Sequence, residues 1–411
     1  MFKKILSIAL AIAMIASLCV VFASCDNQKK APSKEDFKLG VILLHDEFST
    51  YDLNFMNGIN AAKEALGLTD AQVIFKKNIP ESNACYEAAC DLVDEGCNII
   101  FADSFGHEDY MIKAAREFPD VEFCHATGTK AHTEGLENFH NAFAAIYQGR
   151  YLAGVAAGMK LNEMINAGDI SAAEAKMGYV GAFTYAEVIS GYTSFYLGAK
   201  SVCPSVTMDV QFTGSWYDET AEKTTALALI KGGCVLISQH ADSMGAPTAC
   251  EENGIPNVSY NGSTLEDCPE TFIVSSRIDW SPYIQYIVNQ VLEGEDIAVD
   301  WTGTIETGSV VLTDINTAVA AAGTVDKIAE VKEALKTGKL NVFDTATEGF
   351  ITVKNGSALT TYKADVDTDA AFTPDTEVVK DGYFHESEYR SAPYFDVRID
   401  GITLLNEDYG D

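Results

Sequence analysis

From Phe37 onward the chain alternates short apolar runs with stretches of helical spacing, and this alternation narrows the fold more than any other feature. "LGVILL" at 39–44 reads as a buried strand, and Phe55, Met56, Ile59, Ala62 and Leu66 then recur at helical spacing. "QVIFKK" is the next strand. Ser82 caps a helix that runs to Glu95 and stops at Gly96. "NIIFAD", a helix over Glu108 to Phe118 and "VEFCHA" follow. Strand-helix units with connections this short predict a parallel sheet covered on both faces. The pattern restarts after Asn138. A helix in "AIYQGRYLAGVAAGMKL" carries small residues at Gly149, Ala153, Ala156 and Ala157, suited to close packing. Then come "MGYVGAF", a helix from Glu187 to Lys200, "VTMDVQFTG", a helix capped by Asp218, and the strands "CVLISQ" and "IPNVSYN". A last strand and a helix over Tyr283 to Leu292 complete two successive α/β units, too much chain for a single core. The expected division is an N-terminal lobe of 37–137 plus 258–300, a C-terminal lobe of 138–257, and a segment of 301–411 wrapping both. No Pro/Gly/Ser linker separates the lobes, so the chain is expected to cross between them through strand-like connections.

Met1 to Lys4 carry two lysines, Ile5 to Phe22 are almost wholly apolar, and Ala23, Ser24 and Cys25 follow. A positive start, an apolar middle and a small-residue cleavage site read as a secretory signal over 1–25. An uncleaved anchor is the alternative, because the stretch is near the ~18-residue lower limit for a spanning helix. "FASC" resembles the bacterial lipobox, which implies that Cys25 is diacylated and becomes the mature N-terminus. Such chains hold a protein at a membrane surface without spanning it, and 26–36 read as a solvated tether. The formal charge is −32, which argues against nucleic acid or anionic lipid as a partner. Eight cysteines lie beyond Cys25, and no two are spaced C-x-x-C. Export would allow them to pair, but Cys97 and Cys234 sit inside apolar runs, and most read as small buried thiols.

Motifs for catalysis are missing. "TGKL" is no phosphate loop, because Leu340 stands where Ser or Thr would bind magnesium. There is no G-x-S-x-G elbow, no G-x-G-x-x-G after the first strand and no H-E-x-x-H. His45 and Asp46 would need distant partners to hold a metal, so neither metal nor cofactor is expected. His107, His125 and His240 each follow a strand and read as hydrogen-bonded histidines at a sheet edge.

The positive signal lies at the carboxyl ends of the strands, where open α/β sheets bind ligands. Asp46, Tyr51 and Asp52 follow the first strand, and Ser104, Phe105 and Gly106 the third. Glu187, Trp216, Asp242 and Asn261 occupy the matching places in the second unit. Aromatics with a few carboxylates and amides suit a flat heterocycle with hydrogen-bonding edges.

These blocks resemble the basic membrane protein family of substrate-binding lipoproteins, which serve ATP-driven importers and include purine-nucleoside receptors. The resemblance is carried by "FADSFGHEDYMIKAAREFPDVEFCHATG", "YQGRYLAGVAAGM", "GYVGAF", "GSWYDETAEKTTALALIKGGCVLISQHADS" and "RIDWSPYIQYIV". It implies a type I periplasmic-binding fold: two doubly wound α/β lobes joined by three crossings, with a hinge and a central cleft. It also implies a purine base or nucleoside as ligand, and a membrane permease and ATPase as partners. Phe105 and Trp216 match cleft aromatics of relatives, Tyr51 falls where several carry Trp or Tyr, and Asp242 lies in a matching "HADS" block. Asn261 departs from the pattern, since many relatives have Asp there, at a position linked to sugar hydroxyls.

The resulting expectation is a non-enzymatic, extracytoplasmic receptor, anchored by lipid to the outer face of the cell membrane and monomeric. Tyr51, Phe105 and Trp216 would stack on the ligand, while Asp46, Asp52, Glu187, Asp242 and Asn261 would hydrogen-bond it. The alternatives are a sensor of the same fold and, more remotely, a nucleoside-processing enzyme.

Overall fold

The computed structural model describes residues 31–366, 373–407 and 409. The signal sequence, Cys25 and the start of the tether lie outside the described residues. Among the described residues, no helix is long and apolar enough to cross a membrane.

The first half runs β1 (Leu39–Ile42), α1 (Thr50–Leu66), β2 (Val73–Lys76), α2 (Asn83–Asp94), β3 (Ile99–Ala102), α3 (Glu108–Glu117), β4 (Glu122–Ala126), α4 (Ala131–Glu134) and β5 (Phe139–Ala144). The second runs α5 (Ile146–Ala167), β6 (Lys176–Gly181), α6 (Ala186–Val202), β7 (Thr207–Phe212), α7 (Glu219–Lys231), β8 (Leu236–His240), α8 (Gly245–Asn253), β9 (Asn257–Tyr260) and β10 (Phe272–Ile278). α9 (Ser281–Glu293), β11 (Asp300–Gly303), β12 (Val310–Leu312) and α10 (Thr324–Lys336) follow, then short strands ending in Ile402–Leu404. The caps are those read from the sequence: Ser82 accepts from the Ala84 amide and Asp218 from the Ala221 amide.

Two sheets form. The first has the order β11-β5-β4-β3-β1-β2, with every pair parallel. The second has the order β12-β10-β9-β8-β6-β7 and then Ile402–Leu404, parallel except for β12 on β10. This redraws the expected division. β5 belongs to the first sheet, although 138–257 was expected in the second lobe. β9 and β10 belong to the second sheet, although 258–300 was expected in the first. The reason is pairing. Asn141, Ala142 and their neighbours complete the β4 edge, while Ser259 and Tyr260 pair with β10 and Val258 with β8. The chain therefore crosses between sheets at Ala145, at Asp279–Trp280 and between Gly303 and Val310.

The crossings are fixed by packing. Trp280 is buried and stacks on Phe55 of α1 at 4.4 Å between ring centres. Asn54 of α1 donates to the Ile278 carbonyl at 2.8 Å. In the second lobe α5 lies directly on α6. A Cβ on Gly154 would sit 2.0 Å from the Phe195 carbonyl oxygen, and one on Gly198 2.0 Å from that of Tyr151. Close packing was expected at Gly149 and neighbouring alanines, but it is Gly154, Gly158 and Gly198 that meet facing backbone.

Candidate functional site

A small chamber lies between the sheets. Leu44, Tyr51, Ser104, Phe105 and Thr127 line it from the first lobe. Glu187, Trp216, His240, Asp242 and Tyr260 line it from the second. Each follows a strand or ends one, so strand register places them together.

The lobes meet around it. Both the Thr50 amide and its Oγ1 donate to the Asp242 carbonyl, at 2.9 and 3.1 Å. The rings of Phe105 and Tyr185 approach to 5.3 Å, and those of His45 and Tyr217 to 5.4 Å. These contacts join the two halves only when the cleft is shut.

The aromatic walls are braced. Tyr51 donates to the Asp103 carbonyl at 2.7 Å, and its ring sits edge-on to Phe55. Trp216 packs edge-on to Phe183 at 5.0 Å and lies 6.0 Å from Tyr185. Phe105 is 38% exposed, which leaves ring surface free for a partner.

The polar groups divide by charge state. Asp242 is buried, and that burial, with Glu222, Asp52 and Glu187 nearby, holds its carboxyl well above the usual range. Protonation is thereby favoured, and the protonated carboxyl offers one donor and one acceptor side by side. Burial also lowers the His240 pKa, leaving a neutral imidazole 3.4 Å from the Glu187 carboxylate and 4.6 Å from the Tyr260 ring centre. Under Tyr260 lies the buried guanidinium of Arg150, 4.6 Å from the ring centre. Arg150 also donates to the Gln239 carbonyl at 3.2 Å and to the Tyr179 hydroxyl.

Of the residues singled out from the sequence, Tyr51, Ser104, Phe105, Glu187, Trp216 and Asp242 line the chamber. Asp46, Asp52, Gly106 and Asn261 do not. Asp46 is turned to Asn78, whose Nδ2 donates to it at 3.1 Å, and to the Phe48 amide. Asp52 accepts from the His45 amide at 2.8 Å and lies beside Asp103. Burial opposes its charge, but hydrogen bonds from His45 and Ser49 hold its pKa below the usual value. Gly106 donates its amide to Glu81. Asn261, at φ 66°, reaches Asp242 Oδ1 from Nδ2 at 3.4 Å, so it supports a wall residue from behind.

Leu44, Thr127, His240 and Tyr260 also line the chamber, although none was among the chosen site residues. Tyr260 lies at the end of the strand read from "IPNVSYN", and the choice of its neighbour Asn261 was a one-residue error of facing. His107 and His125 do make the expected edge bonds, to the Ile79 and Ser104 carbonyls at 2.9 and 2.7 Å. His240 instead faces the chamber. Among the described residues, no group of three His, Cys, Asp or Glu side chains is placed to hold a metal.

The profile of the Bmp family, described as ABC transporter substrate-binding protein PnrA-like, matches residues 44–342. The chain belongs to this family. It is 33% identical over 282 residues to a purine-binding protein of Brucella abortus, covering 68% of this chain and 75% of that one. It is 31% identical over 246 residues to a Haloferax volcanii protein named as an ABC transporter glucose-binding protein, covering 60% and 59% of the two chains. A solved ABC transporter solute-binding protein of Aeropyrum pernix superposes with a TM-score of 0.63 at 17% identity, covering 76% of this chain and 94% of that one. The fold is thus that of the type I periplasmic-binding proteins, and the protein is an ABC transporter substrate-binding protein.

Proposed function

We propose that this Bmp-family protein captures a purine base or nucleoside outside the cytoplasm and delivers it to an ABC permease and its ATPase, tethered by lipid at Cys25. The observation that carries the ligand class is the chamber itself. Aromatic rings from both lobes, Tyr51, Phe105 and Trp216, border a small space closed by Asp242, whose carboxyl is pushed toward its protonated form. Flat rings favour a flat ligand, each stack adding ~1–3 kcal/mol per base. A donor and an acceptor on one carboxyl match the paired donor and acceptor on the edge of a purine. Contacts from both lobes exist together only in the shut form, so ligand shifts the population toward it.

The likeness to a glucose-binding protein supports a second reading, because aromatic faces and carboxylates also hold sugars. Calorimetry and thermal shift against adenine, guanine, hypoxanthine, their nucleosides and glucose separate the two. Micromolar binding of a purine supports the first reading. Binding of glucose alone removes it.

A further inference from the structure

The family profile ends at residue 342, yet the chain continues and returns to the cleft. Residues 385–395 touch both lobes. On the second lobe, Phe395 stacks on Phe343 at 4.1 Å, and Phe343 stacks on Tyr147 of α5 at 5.4 Å. Tyr147 Oη also donates to the Glu386 carbonyl at 3.3 Å. On the first lobe, Ser391 donates both its amide and its hydroxyl to the Asp300 carboxylate of β11, with His132 Nε2 3.6 Å from the same group. Between these anchors the strand of chain is held in shape by Arg390, whose guanidinium donates to the Ala392 and Pro393 carbonyls at 3.1 and 3.0 Å.

Arg390, Ala392 and Pro393 also line a second cavity, of about 140 Å³. Phe105, Thr127, Glu187 and Trp216 line both this cavity and the inner chamber. The two spaces therefore adjoin, and the returning segment closes the outer one.

We propose that residues 390–393 are a wall of the ligand site, seated across the lobes by the Ser391–Asp300 contact, and that ligand exchange requires this contact to part. The lobes cannot separate while one segment is fixed to both. The second-lobe anchor is a stack of buried rings, whereas the first-lobe anchor is two hydrogen bonds to one carboxylate, so the latter yields on opening. The proposal rests on the two-lobe receptor reading but not on the identity of the ligand.

The test is Ser391→Ala in the full chain, with adenine as probe. Its dissociation rate, by stopped flow, is expected to rise at least tenfold, with the melting temperature changed by only a few degrees. An unchanged rate overturns the proposal. If Ser391→Ala does not fold, Asp300→Asn, which keeps the shape and one acceptor oxygen, is put through the same measurement. If adenine does not bind the parent protein, the purine reading fails, and the wall is judged by amide exchange without ligand. Exchange over 385–395 and 127–129 should then rise at least threefold in the variant. No rise in either segment overturns the proposal.

Discussion

Asp242 combines burial beside a ligand space with a carboxyl whose protonation is favoured by its surroundings. If the neutral form is the binding form, Asp242→Asn, which preserves a donor and an acceptor, should bind adenine within about fivefold of the parent protein. Asp242→Ala should lose about 1–3 kcal/mol, because ligand groups are left unpaired; calorimetry on both variants decides. Trp216→Ala should cost about 5- to 150-fold in affinity, from the loss of about 1–3 kcal/mol of stacking, read in the same titration. Glu222 gives a stability signal. Burial pushes its carboxyl up to about 7, against the hydrogen bonds it accepts from the Ser243 amide. A raised folded-state pKa means stability is fully present below about 4.5 and is lost as pH rises toward 7. The loss is on the order of 3 kcal/mol. Glu222→Gln should therefore gain on the parent protein in melting temperature between pH 5 and pH 8, and a constant difference would contradict the assignment. At this scale the sequence exposes residue types at strand ends but not their facing. Asn261 and Tyr260 are adjacent, and only the turn after β9 decides that Tyr260 lines the chamber.

Among the elements, the helix pair α5 and α6 sets the tightest tolerance. Gly198→Ala places a methyl where the Tyr151 carbonyl stands, so the helices must move apart. A loss of about 1–3 kcal/mol or more is expected, measured by urea unfolding, while Gly135→Ala at an open turn should cost less. Element types were legible because the periods differ: two for strands and 3.6 for helices. The caps at Ser82 and Asp218 were legible because their chemistry is local. The glycines that touch were not, since Gly149 and Gly154 look alike until the facing helix is known. The membership of β5, β9 and β10 was hidden for the same reason, because a strand's partner is set by the whole sheet.

The frame of the molecule is two large sheets joined by three crossings, with Trp280 and Phe55 packed at the second. Cysteines stand apart from this scheme: the eight beyond Cys25 that the structure describes are free, and all but Cys90 are buried. That matches the reading of buried thiols, made from the apolar runs around Cys97 and Cys234. The arrangement also bears on how the chain is made. The first sheet lacks its edge until β11 has been synthesised at 300–303, and the second gains its last strand only at 402–404. Neither lobe can finish folding as its own stretch of chain emerges, since each waits for segments added much later. Long-range pairing of this kind is slow and leaves sheet edges unpaired meanwhile. The first sheet is complete once β11 has arrived, the second only about a hundred residues later, with the strand at 402–404.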